Sequence, residues 1–119
     1  MEPLVNRKCK PCEGGTSPLP VSAARTLLED LQGWALIEDN AIRKTVTCKD
    51  FLDAVNLIQR IAAIAEAEDH HPDLHLTNYR KLTIAFSTHA IGGLSENDFI
   101  AAAKIDQLLP VQADDGEGG

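Results

Sequence analysis

Apolar residues recur at helical spacing in three stretches of the chain and alternate at strand spacing in four others. Ala24, Leu27, Leu28 and Leu31 lie three or four apart, which predicts a first helix over 20–32, stopped by Gly33. Phe51, Ala54, Val55, Ile58, Ile61, Ala62 and Ala65, widened by Leu57 and Ile64, form a continuous stripe and predict a second helix over 50–68. A third, over 96–109, carries its own start signals. Ser95 stands as N-cap, Asp98 completes a capping box, Leu94 and Phe99 are spaced as a hydrophobic staple, and Pro110 ends the pattern. Strands are predicted over 34–38 and 42–47, joined by a turn at Asp39-Asn40, and over 73–78 and 81–89. In the last of these Leu82, Ile84 and Phe86 share one face, and Thr83, Ala85, Ser87 and His89 the other. This order of elements predicts an α+β domain, a four-stranded antiparallel sheet with three helices packed on one face. The stripe on the second helix is wider than one small sheet covers, which predicts a homo-oligomer.

Composition narrows the class. A length of 119 residues is one domain's worth, and 44% hydrophobic with 24% charged residues excludes a disordered or disulfide-scaffold chain. Eleven Lys and Arg against eighteen Asp and Glu leave a net charge of −7, which argues against direct nucleic-acid binding and against docking on anionic membranes. No apolar run approaches the roughly 20 residues of a membrane helix. Nor does an apolar stretch follow the basic residues near Met1, as a secretory signal requires. Cys9, Cys12 and Cys48 are too few and odd in number for a disulfide framework, so the expected setting is reducing and cytoplasmic. An organelle stroma or matrix fits equally if a transit peptide has been removed. Residues 1–18, broken by Pro3, Pro11, Pro18 and Gly14-Gly15, read as a flexible lead-in holding C-x-x-C. Residues 19–109 form the domain, and 110–119 an acidic, Gly-rich disordered tail.

The chemistry is concentrated. All four histidines fall between positions 70 and 89, and imidazole is the side chain that titrates nearest neutral pH. His70, His71 and His75 lack the helical spacing of common zinc motifs, and Pro72 ends the helix. Cys9 and Cys12 supply half of a zinc ribbon whose second half is missing, so no metal is expected.

One pattern joins these residues. Glu66, three residues, His70-His71-Pro72, six residues, Tyr79, nine residues, His89, eight residues and Asp98 resembles the signature of the pterin-4a-carbinolamine dehydratases. Gly33-Trp34 after a Leu-rich helix, and Thr88-His89 before Gly92-Gly93-Leu94, agree with it, and the likeness spans roughly residues 19–109. The resemblance implies loss of water from 4a-hydroxytetrahydropterin to give quinonoid dihydropterin, within tetrahydropterin recycling, with His70 and His89 as acid–base catalysts. It further implies that His71 binds and orients the pterin while Glu66 and Asp98 line or polarise the site. No cofactor is needed, because the reaction moves protons and no electrons leave the substrate. Adjacent His70 and His71 are not expected to be charged together.

The residues keep simpler roles open. Asp98 is a capping residue by position; as a site residue its expected partner is His89. His75 is expected on an exposed strand face, and Tyr79 and Trp34 are expected to pack. The small-residue face that includes His89 is either a pocket floor or solvated, unless a bulge near Gly92 re-aims the ring. By resemblance the partners are a pterin-dependent aromatic amino-acid hydroxylase, linked through the substrate, and further copies of the chain as a homotetramer or homodimer. The alternative is a non-enzymatic interaction protein on the same fold, either a dimerisation cofactor for a homeodomain transcription factor or a Rubisco assembly factor.

Overall fold

Four strands and three α-helices form the fold seen in the computed structural model, which describes residues 3–10 and 17–109. Cys12 and the acidic tail 110–119 lie outside the described residues. In chain order the elements are α1 (Val21–Leu28), β1 (Ala35–Ile37), β2 (Ala41–Thr47), α2 (Phe51–Glu68), β3 (Asp73–Thr77), β4 (Lys81–Phe86) and α3 (Glu96–Asp106). The sheet is antiparallel throughout, in the order β1-β2-β4-β3, and the predicted α+β architecture holds.

Register shows how alternation builds two unlike faces. Leu36, Ile42 and Phe86 form one cross-strand row, Lys44, Ile84 and Leu74 the next, and Val46, Leu82 and Leu76 the third. These rows meet Ala24 of α1, Ile61 of α2 and Phe99, Ile100 and Ile105 of α3 in a single core. Lys44 is the polar member of this face, and its ammonium is held by Asp106 at 3.0 Å and the Gln32 carbonyl at 2.7 Å. Trp34 donates its indole N–H to the same carboxylate at 3.0 Å, so it packs as expected. The opposite face carries Arg43, Thr45, Thr83 and His75, with the Thr45 and Thr83 hydroxyls 3.0 Å apart.

Boundaries shift where local turns compete with periodicity. The first hairpin turns earlier than Asp39-Asn40: Glu38 and Asp39 adopt left-handed conformations, with φ of 51° and 62°. Its counterpart places Asn78 and Tyr79 at φ of 50° and 54°, so β3 ends at Thr77 and Tyr79 is an exposed turn residue under the Arg80 guanidinium. Tyr79 therefore does not pack into the core. Helix α1 stops at Leu28 and continues as tight turns that place Leu31 in the core. Helix α3 ends at Asp106 in a similar turn.

The lead-in differs most from the sequence expectation. Leu4–Asn6 form a 3-10 turn, Leu4 is buried in the core, and residues to Lys10 run against α3 and the end of α2. Proline and glycine spacing signals where regular structure stops, and carries no information on whether an irregular segment finds a surface to cover.

Candidate active site

Helix α2 delivers the first half of the site. Its N-cap Asp50 accepts from the Asp53 N–H at 2.8 Å, and its C-cap Asp69 sits in the left-handed region at φ 53°. That conformation turns the chain off the helix axis, and Pro72 prevents its return. The His70 N–H still reaches back to the Ala65 carbonyl at 3.1 Å. His70 is thus tied to the helix end, and its ring stacks on Phe86 with centroids 5.8 Å apart and planes inclined by 10°.

Helix α3 delivers the second half. The capping box between Ser95 and Asp98 closes in both directions, as its spacing predicts. The fully buried Asp98 carboxylate does more than cap. It accepts from the Ser95 N–H at 2.9 Å and the Thr88 hydroxyl at 2.8 Å, and its other oxygen lies 2.6 Å from His70 Nε2. The expected partnership with His89 gives way to one with His70. A carboxylate can only accept here, so Nε2 carries the proton and Nδ1 is left as the ring's free lone pair in the neutral state.

His89 reaches the site by a local break near Gly92, though as a turn rather than a bulge. Strand β4 ends at Phe86, so strand parity does not govern position 89. The Thr88 and Gly93 backbones form an isolated bridge, with the Thr88 N–H to the Gly93 carbonyl at 2.7 Å, and His89–Ile91 form a 3-10 turn inside it. Gly92 closes that turn at φ 69°, and a Cβ on Gly93 would stand 2.7 Å from the Pro18 side chain, so both glycines are required by geometry.

A cavity of about 450 Å³ opens between these elements, a size typical of small-molecule sites. His70, His71 and His89 line it together with Ser87 and Thr88, and Cys9 and Lys10 add a wall from the N-terminal segment. Glu66 is not among its lining residues; it holds His71 Nε2 at 2.6 Å from outside. Both members of that pair are more than half exposed, so the contact orients the ring and adds only about 0–1 kcal/mol. His75 sits opposite Thr83 on the far face of the sheet, exposed and away from the cavity.

Beside the histidines, Glu68 and Asn97 were not singled out from sequence, and Thr88 was read only as part of the family pattern. Thr88 fixes Asp98, Glu68 is a buried carboxylate at the end of α2, and Asn97 precedes Asp98. Burial by itself would raise the Glu68 carboxyl, but the Cys9 N–H, Lys104 at 2.6 Å and Lys8 outweigh it and hold it at about 2. Burial, followed by the Glu68 charge, pushes the Cys9 thiol up to about 12. Only a polar residue in an apolar helix pattern could have flagged Glu68; its partners are 36 and 59 positions away. Among the described residues no three His, Cys, Asp or Glu side chains form a group able to hold a metal ion.

The fold and this cavity define an α+β protein with three imidazoles gathered around one site of small-molecule size. The family described as Pterin 4 alpha carbinolamine dehydratase matches residues 17–108, and the chain belongs to that family. A protein of Nitrosomonas eutropha bearing the pterin-4-alpha-carbinolamine dehydratase name is 49% identical over 107 residues, covering 89% of this chain and 93% of its own. The Arabidopsis thaliana protein named pterin-4-alpha-carbinolamine dehydratase 2, mitochondrial, is 43% identical over 109 residues, covering 88% of this chain and 58% of its own. A crystal structure from Brucella melitensis, titled transcriptional coactivator/pterin dehydratase, superposes with a TM-score of 0.72 at 29% identity. It covers 77% of this chain and 98% of that one.

Proposed function

We propose that this protein dehydrates 4a-hydroxytetrahydropterin to quinonoid dihydropterin by histidine acid–base catalysis. The observation that carries the reading is the convergence of His70, backed by buried Asp98, with His71 and His89 in one cavity. In the reaction the C4a–O bond breaks, the departing oxygen takes a proton and leaves as water, and the N5 lone pair forms the C4a=N5 bond as N5 gives up its proton. His70 and His89 exchange these protons, His71 orients the pterin, and Glu66 holds His71. Asp98 fixes His70 so that Nδ1 faces the substrate. Positioned acid–base groups of this kind contribute about 10²–10⁴-fold each.

Such a substrate arises where an aromatic amino-acid hydroxylase consumes a tetrahydropterin, which places the protein in tetrahydropterin recycling. The setting is cytoplasmic or an organelle compartment; no helix among the described residues is long and apolar enough to cross a membrane. Phe51 and Leu52 on α2 are exposed in the single chain, an apolar pair that a second copy would cover in a homo-oligomer. A coactivator role like the one in the Brucella title is the second reading, and it gives no reason to keep three histidines around a cavity.

The test is acceleration of 4a-hydroxytetrahydropterin dehydration by the purified protein with and without a chelator. Alanine at His70 or His89 should lower turnover about 100-fold or more. Alanine at His75 should leave it unchanged. Wild-type rates in both the His70→Ala and His89→Ala variants, or loss of activity on chelation, would overturn the mechanism.

A further inference from the structure

The segment before residue 17 lies outside the span matched by the family, yet part of it is built into the site. Leu4 anchors it in the core, and after the 3-10 turn the backbone becomes extended at Arg7, whose side chain pairs with Glu96. Two side chains then grip the main chain. Glu68 accepts from the Cys9 N–H at 2.9 Å, and Asn97 accepts from the Lys10 N–H at 2.9 Å while its amide donates to the Lys10 carbonyl. The Cys9 thiol donates to the Asn97 carbonyl at 3.6 Å.

These anchors are not placed at random. Glu68 lies two residues before His70, and Asn97 lies immediately before Asp98. The segment therefore bridges the two elements whose side chains make the His70–Asp98 pair, and presents Cys9 and Lys10 to the cavity those elements enclose. Glu68 and Asn97 are both buried, and a buried carboxylate persists only where its partners compensate its lost hydration. Both side chains line the same cavity as the histidines, beside Cys9 and Lys10.

We propose that residues 3–10 are a substrate-binding strap, in which Cys9 and Lys10, positioned by Glu68 and Asn97, form the wall that holds the pterin against His70 and His89. The inference rests on the dehydratase reading and adds a binding determinant to it. With its thiol held in the neutral form, Cys9 offers the flat heterocycle an uncharged, polarisable surface and no nucleophile. The strap touches substrate equally before and during reaction, so its loss should raise KM and spare kcat.

Two variants of the full chain test this, assayed well below their melting temperatures. Asn97→Ala removes both side-chain bonds to Lys10 and should raise KM about tenfold, with kcat within about twofold of wild type. Cys9→Phe narrows the cavity and should raise KM similarly. A second readout needs no turnover: by isothermal titration calorimetry 7,8-dihydrobiopterin should bind Asn97→Ala about tenfold more weakly than wild type. Unchanged KM in Asn97→Ala and Cys9→Phe, a loss confined to kcat, or equal affinity of Asn97→Ala and wild type for the pterin would overturn the strap while an active wild type keeps the dehydratase reading. A wild type that neither accelerates dehydration nor binds the pterin overturns both.

Discussion

Replacing Asp98 by asparagine exchanges one carboxylate oxygen for an amino group at a fully buried position where every neighbour is a donor. The carboxylate faces the Ser95 N–H at 2.9 Å, the Thr88 hydroxyl at 2.8 Å and His70 Nε2 at 2.6 Å. An amide retains one oxygen. The Ser95 N–H cannot reorient, so that oxygen is expected to stay with Ser95 and Thr88 and the amino group to face His70. Nε2 must then accept, and the ring proton moves to Nδ1, the nitrogen that the mechanism needs free. Turnover should fall by about 10²–10⁴, the range of one acid–base catalyst. Stability should fall by about 1–3 kcal/mol, because a charge-assisted hydrogen bond is lost and the rest of the cap survives. In a domain this size each kcal/mol is worth about 4–8 °C. The assay is dehydration kinetics at a temperature where the variant remains folded by circular dichroism, alongside a melting curve. A lower melting temperature with unchanged kcat would show that Asp98 is a helix cap alone, and the assignment of His70 would lose its support.

Two further outcomes follow from the same geometry. Glu68 has its folded-state value held at about 2, below the 4.5 of an unperturbed glutamate, so its contribution is complete above about pH 4.5 and is lost as pH falls towards 2. By linkage that amounts to on the order of 3 kcal/mol, and melting curves from pH 5 to 2 should show Glu68→Gln with a shallower acid dependence than wild type; parallel curves would contradict the assigned charge. Light scattering at micromolar concentration should show a dimer or tetramer that Phe51→Lys with Leu52→Lys weakens, and a wild-type mass of only 12.9 kDa would refute oligomerisation.

Periodicity and capping were sufficient for most of the fold because both are local. The Ser95–Asp98 box and the alternation Ile42, Lys44, Val46 depend on neighbours within a few residues and stand in the structure as read, whereas of the α2 stripe Ala54, Ile61 and Ala65 are buried and Phe51 is exposed in the single chain. The spacing signature likewise brought His70, His71 and His89 to one cavity from sequence. Partnerships were another matter. Asp98 could be spaced against His89 along the chain, but its contact is with His70, because the His89–Ile91 turn and the left-handed Asp69 set ring directions that no spacing encodes. The strap was invisible for the same reason: the bonds from Cys9 to Glu68 and from Lys10 to Asn97 span 59 and 87 positions. Proline and glycine mark such a segment as irregular in either case. The sequence by itself determined which residues form most of the helices and strands and which side chains are candidates for chemistry, since those follow from local sterics and residue type. Only the tertiary structure decided which carboxylate steadies which imidazole and that Cys9 and Lys10 wall the cavity, because those contacts exist only once distant segments have packed.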